Sequence, residues 1–397
     1  MNAMKYDFSK LDALLRRFAA ESVPSCACAV VKDGELLYEG YYGYADLEAK
    51  APVTPASLYR QASMTKLVTY TILMMLMEQG KCRMDQPLSD FYPAWADKTK
   101  FVPCEDGYAI VPLEKTITLG DCTAMMCGMP YCFGPAPSDT KDPVLKAMSQ
   151  AMQPVWAKGH YRVQEAIAAM AQVPVAFEPG TDWMYGFGSE IVGGVVELIT
   201  GMPLYQAMRR YIFMPLDMRD TDTLFHDDFE QRLVGMYTVQ NGQFIRMPAD
   251  IDRGQRPGEE NEEGRPSLMT NVRDFSKLMQ LWAHDGVYKG VRLLKPETMR
   301  FMRQNLLSGD VLSQYQGGPD GYNAGYGYGY GVRTLLAPRE GCGNVGSYGW
   351  TGGYGSWCEA DPVEHASIVY MHNMIPNREQ EHHLPVRAAA YGALRGN

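Results

Sequence analysis

Tyr59-Arg60-Gln61-Ala62-Ser63-Met64-Thr65-Lys66, running straight into the apolar stretch Leu67 to Gln79, is the segment from which the chain is best read. The apolar stretch reads as a helix that stops at Gly80, glycine being the common residue just past a helix end. Residues three apart share a helix face, so Ser63 and Lys66 point the same way, with Ser63 at the helix N-terminus. That end offers unpaired N–H groups and the positive pole of the helix, which suit a developing oxyanion. Ser63 there can serve as a nucleophile, and Lys66 can take its proton when neutral. The same spacing, taken alone, occurs often by chance and better fits an N-cap serine beside a solvated first-turn lysine.

Outward from this helix, both ends of the chain read as strands. Ser25 to Val31 and Leu36 to Tyr44 flank Asp33-Gly34 as a hairpin, and Tyr326 to Leu336, Tyr348 to Glu359 and Ala366 to Asn373 read as three more strands. The middle reads as helical: Ile191 to Thr200 ends at Gly201, and Val272 to His284 is amphipathic. Leu384 to Leu394 has helical composition, with Pro385 expected only in its first turn. The fold class is therefore α/β (α+β): an antiparallel sheet built from both chain termini and flanked by helices, plus a mostly helical second lobe. Residues 1–397 form one domain, with 1–85 and 290–397 as the α/β lobe and 86–289 as the mainly helical lobe. Arg253 to Pro266 reads as an exposed loop, and Gly317 to Gly331 as a loop leading into a strand.

Composition narrows the function classes. The 397 residues carry 37 Lys and Arg against 46 Asp and Glu, a formal net charge of −9, which disfavours binding to phosphate backbones. With 46% hydrophobic and 21% charged residues the chain is an ordinary globular one. Leu67 to Met77, the longest apolar candidate, falls well short of the roughly 20 residues a membrane span needs. Met1 to Lys10 lacks an apolar signal core, and nine cysteines without a C-x-x-C pair do not make a disulfide framework, so a reducing cytoplasm is expected. Cys122, Cys127 and Cys132 read as ordinary thiols. No H-E-x-x-H or Gly-rich phosphate loop occurs, so neither a metal nor a cofactor is expected. Ser347 lacks the first glycine of a G-x-S-x-G elbow, and His382-His383 reads as a solvated helix start.

Two further segments join the first. Glu178-Pro179-Gly180-Thr181-Asp182-Trp183-Met184-Tyr185 leads into the Ile191–Thr200 helix, and Gly349-Trp350-Thr351-Gly352-Gly353-Tyr354 forms a Gly-rich turn between strands. In this order the three resemble the penicillin-recognising serine hydrolase superfamily, most closely its class C β-lactamase-like branch of esterases, D-aminopeptidases, DD-peptidases and acyltransferases. Met77 to Lys81, Met84 to Leu88, Ile117 to Pro130 and Thr270 to Phe275 extend the resemblance over nearly the whole chain. It implies Ser63 as nucleophile, Lys66 and Tyr185 as the proton-transfer pair, the N–H groups of Ser63 and Gly353 as oxyanion hole, and Phe187, Trp350, Thr351 and Gly352 as substrate-binding residues.

Three departures define the substrate. Trp350 stands where the family usually has Lys or His, Phe187 where it has the Asn of Tyr-x-Asn, and Met125-Met126-Cys127-Gly128 replaces a histidine–x–serine–glycine loop. All three make the site more apolar. The expected function is a carboxylesterase acting on small neutral esters through an acyl-enzyme. Acyl transfer to a small alcohol, a D-aminopeptidase or DD-peptidase, and a weak β-lactamase are the enzyme alternatives; Trp183-Met184-Tyr185-Gly186 resembles the fungal statin-side-chain acyltransferases. A non-catalytic binding protein on this fold is the alternative of another class. The expected partner is a small-molecule ester, with no nucleic acid and no membrane.

Overall fold

The computed structural model describes residues 6–105, 107–258 and 267–396. Its centre is an eight-stranded antiparallel sheet. The N-terminal strands are β1 (Ser25–Lys32), β2 (Glu35–Asp46) and β3 (Ala51–Pro52). The C-terminal ones are β4 (Tyr326–Tyr328), β5 (Arg333–Leu335), β6 (Tyr348–Thr351), β7 (Trp357–Asp361) and β8 (Ala366–Met371). The spatial order is β4-β5-β6-β7-β8-β1-β2-β3, so the two chain ends meet at the β8–β1 pair, where Ala27 faces Met371. Two runs read as single strands are each two. Tyr326 to Leu336 is interrupted by a turn in which the Gly329 N–H donates to Val332 O at 2.8 Å and Gly331 adopts φ 83°. Tyr348 to Glu359 is broken by the glycine turn itself.

Period-two alternation explains how the sheet is sandwiched. Cys26, Cys28 and Val30 of β1 face one core with Leu11, Leu15 and Phe18 of α1 (Ser9–Glu21) and Val386 and Tyr391 of α7 (Glu379–Arg395). Ala27 and Ala29 face the other core, which holds α2 (Thr65–Glu78) and α6 (Val272–Ala283). Helix α2 is apolar on every side and buries Leu67, Val68, Tyr70, Ile72, Leu73, Met74 and Leu76, as a core helix must. It ends as its sequence requires: Gly80 sits at φ 70°, and the Lys81 N–H donates to Leu76 O at 3.0 Å. Packed on α2 is α5 (Gly188–Thr200), which in turn carries α4 (Val163–Met170), itself packed on α3 (Pro143–Trp156).

Three expectations need correction. Helix α7 begins at Glu379, so Pro385 lies inside it rather than in its first turn. His382 and His383 are buried, not solvated, because α1 and the sheet close over that end of the helix. Ala249–Gln255 is a 3₁₀ segment rather than the start of a loop; residues 259–266 of the same stretch lie outside the described residues.

Candidate active site

Ser63 is the middle residue of a short 3₁₀ turn, Ala62–Met64, that feeds directly into α2. Ala62 is held in the left-handed region at φ 45°, a cost accepted where the surroundings over-determine the backbone. One turn on, Lys66 is buried, and its Nζ donates to Ser63 Oγ at 3.1 Å. The shared helix face read from the spacing is therefore present as a hydrogen bond. Two rings cover the lysine: its Nζ is 5.4 Å from the Tyr185 ring centre and 5.5 Å from that of Tyr131.

Backbone hydrogen bonds to the 125–129 loop hold Tyr185 in place. The Met184 N–H donates to Met125 O at 2.8 Å, the Gly180 N–H to Met126 O at 3.0 Å, and the Phe187 N–H to Met129 O at 2.9 Å. A side chain at Gly186 would overlap Met129 O, so only glycine lets the Tyr185 segment lie this close. This loop therefore works through its main chain.

The glycine turn closes the site from the sheet side. A Cβ on Gly352 would overlap Gln61 O and Ser356 Oγ, whereas one on Gly353 would meet only Ala62 Cβ, at 4.0 Å. Gly352 thus serves the contact between turn and nucleophile segment, and Gly353 lies beside Ala62. Among the described residues the Gly353 N–H has no backbone acceptor. Among the described residues the Ser63 N–H likewise has no backbone acceptor, whereas the Ala62 N–H donates to Ser267 Oγ at 3.3 Å and the Met64 N–H to Gln61 O at 3.1 Å. Thr351, half-buried, ends β6 at the turn.

Trp350 does more than pack. Its ring stands 5.5 Å from Tyr185 and 5.1 Å from Tyr328, and its Nε1–H donates to Tyr185 Oη at 3.3 Å. Phe187 is buried, 5.0 Å from Tyr131, and forms one wall of a cavity of about 140 Å³. Met152, Trp156, Met170 and Glu190 also line that cavity.

Several site residues carried no sequence signal. Tyr131 donates to both carboxylate oxygens of Glu190, at 3.0 and 3.2 Å, and Ser189 Oγ donates to Oε2 at 2.6 Å. Tyr131 follows Gly128-Met129-Pro130, and only its tertiary position marks it. Burial, with Tyr185 nearby, drives the hydroxyls of Tyr70 and Tyr328 to stay protonated well above the usual tyrosine range. Behind the glycine turn, His383 Nε2 lies 3.0 Å from Gly355 O. A carbonyl only accepts, so this nitrogen carries the proton, and Tyr322 donates to Nδ1 at 2.9 Å. The His372 ring occupies the place a side chain on Gly355 would need. Two buried histidines thus hold the back of the turn whose front faces Ser63.

Residues 11–392 match the family model described as Beta-lactamase, and the chain belongs to that family, whose fold is that of the penicillin-recognising serine hydrolases. Among its relatives, Protein Rv1367c of Mycobacterium tuberculosis is 28% identical, covering 91% of this chain and 87% of its own length. Lovastatin esterase of Penicillium rubens is 29% identical over 73% of this chain and 70% of its own. Among solved structures, "EstCE1, a hydrolase with promiscuous acyltransferase activity" superposes with a TM-score of 0.76 at 20% identity, covering 97% of this chain and 98% of that one. Family members thus include esterases and acyltransferases.

Proposed function

We propose that this protein is a serine carboxylesterase acting on neutral esters with apolar acyl groups. The observation that carries the reading is the 3.1 Å Lys66–Ser63 contact, set at the mouth of a buried apolar helix and enclosed by Tyr131, Tyr185 and Trp350. In the reaction, neutral Lys66 accepts the Ser63 proton as Oγ attacks the ester carbonyl. The N–H groups of Ser63 and Gly353 receive the oxyanion, and Tyr185 relays the proton to the departing alcohol oxygen. Water then attacks the acyl-enzyme, the same groups take its proton, and Ser63 is released with the carboxylic acid.

Selectivity follows from the walls. A substrate carboxylate beside Trp350 meets no cation, and leaving a charge unpaired in a desolvated groove costs several kcal/mol. A peptide or lactam amide beside Phe187 finds no amide partner, a loss of about 1–3 kcal/mol. An apolar acyl group meets neither cost and gains about 25 cal/mol per Å² of apolar surface buried. Acyl transfer to an alcohol is the second reading, supported by the activity named for EstCE1; it changes only which nucleophile attacks the acyl-enzyme.

A panel of p-nitrophenyl esters beside a chromogenic cephalosporin tests this. Neutral esters are expected to exceed the cephalosporin in kcat/KM by at least about a hundredfold, roughly 2.7 kcal/mol. Equal turnover of cephalosporin and butyrate ester would move the assignment to a β-lactamase, and no turnover of either would favour a binding protein. Adding an alcohol and measuring the ester product against free acid separates transfer from hydrolysis.

A further inference from the structure

Three turns far apart in sequence converge at the end of the sheet remote from Ser63. Asp33 opens the Asp-Gly turn between β1 and β2, His365 lies in the turn between β7 and β8, and His284 follows the last residue of α6. The Gly352–Ser356 turn sits at the opposite end of β7, whose five residues span about 16 Å. The convergence is built into the backbone. The Asp33 N–H donates to His365 O at 2.9 Å. Gln280, fully buried, accepts from the Gly34 N–H at 2.9 Å and donates to Val31 O and Ser367 Oγ, each at 3.0 Å.

The side chains on this scaffold form a donor set. His284 Nδ1 lies 2.9 Å from Gln280 O. Because the carbonyl only accepts, Nδ1 carries a proton, and in the neutral ring Nε2 is then the nitrogen left with its lone pair. A backbone carbonyl orienting the far ring nitrogen is the usual support of a metal-bound histidine. The lone pair of Nε2 faces Asp33 Oδ1 across 3.9 Å, and His365 Nδ1 is 3.3 Å from the same oxygen. One donor atom from each of the three residues lies within 4.8 Å of the other two. With the ring neutral, its Nε2 and the Asp33 carboxylate both offer lone pairs across this gap, and a cation can fill it.

We propose that Asp33, His284 and His365 bind a divalent transition metal ion, with Zn²⁺ as the best match. Tetrahedral zinc with bonds of about 2.0–2.1 Å sets its ligands about 3.3–3.4 Å apart. One pair already has that spacing, and the half-exposed side chains of Asp33 and His365 supply the remaining closure. Two imidazole nitrogens and one carboxylate oxygen suit Zn²⁺, Co²⁺, Ni²⁺ or Cu²⁺, whereas Ca²⁺ and Mg²⁺ take oxygen sets. Water completes the fourth position. The ion clips three turns together and stabilises the folded chain by mass action. This departs from the sequence expectation of no metal, which positions 33, 284 and 365 gave no spacing to contradict.

The test is independent of ester hydrolysis. Chelator-treated, desalted protein is titrated with ZnCl₂ by calorimetry and with CoCl₂ by visible absorption, alongside His284→Ala and His365→Asn. The second variant keeps a residue that tolerates the φ of 50° at that position. One Zn²⁺ per chain at micromolar dissociation constant, a cobalt d–d band, and at least tenfold weaker uptake in both variants are expected. Wild-type uptake no tighter than millimolar, uptake unchanged in either variant, or Ca²⁺ displacing Zn²⁺ at equal concentration would overturn the proposal.

Discussion

Lys66 and Lys98 are both buried, and both lie against aromatic rings. Lys98 Nζ donates to Met170 O and Ala171 O at 3.1 Å each and to Val173 O, with the Trp95 ring 4.5 Å away. Burial lowers its pKa to about 8, yet three carbonyls match its three protons and lock the loop after α4. Lys66 has a hydroxyl as its polar partner and two phenol rings as walls. The contrast teaches that a buried lysine is a clamp when acceptors saturate it. It is a candidate for proton transfer when its partner is itself a nucleophile.

The comparison breaks cleanly by mutation. Lys66→Met is expected to lower kcat/KM for a p-nitrophenyl ester by at least about a thousandfold, since base and nucleophile act as a unit. Lys98→Met is expected to leave that activity within about threefold but to lower the thermal midpoint by several degrees, because each orphaned buried carbonyl costs about 1–3 kcal/mol. Kinetics and differential scanning calorimetry on both variants check the pair. Matching profiles would erase the distinction.

A smaller effect is expected at the turn. In Gly352→Ala the new methyl overlaps Gln61 O and Ser356 Oγ, so the turn must move away from Ser63. Displacing one oxyanion donor costs about a hundredfold or more in kcat. The expected signature is a fall in kcat with KM changed less, read from steady-state kinetics; a KM effect alone would detach the turn from oxyanion stabilisation.

The smallest effect concerns the two histidines behind that turn and their buried neighbour His382. Burial pushes His372 down to about 3 and His382 to about 4, and pushes His383 well below its usual value. In the unfolded chain a histidine titrates near 6.5. Between that value and about 4 the unfolded state binds more protons, so stability falls as pH drops through this window. Thermal midpoints at about pH 7.5 and pH 5 should show the loss. A midpoint that rises on acidification would contradict neutral histidines there.

These cases also show what the sequence could reveal. The shared face of Ser63 and Lys66 follows from their spacing, whereas Tyr185 and the glycine turn stand out only through the family resemblance of their segments; the sheet built from both termini was legible from its strand patterns. Tyr131 and Glu190 enter the site only because α5 and the loop after Gly128 meet in space. His382 and His383 looked solvated because Glu379 and Glu381 precede them, and local polarity does not report that Phe18 of α1 stacks on His382 at 3.7 Å. Pro385 marked a helix start at Leu384 that tertiary packing placed five residues earlier. The strands around Gly329 and Gly331 merged for a similar reason: a two-strand turn rich in tyrosine has the same alternation as one strand.

The central claim is that Ser63 is the nucleophile. Incubating the protein with a fluorophosphonate and locating the adduct by peptide mass spectrometry tests it most directly. One phosphonyl group per chain on Ser63, absent in Ser63→Ala, is the result expected from the Lys66 contact and the enclosing rings. An adduct on another residue, or none while ester turnover persists, would contradict it.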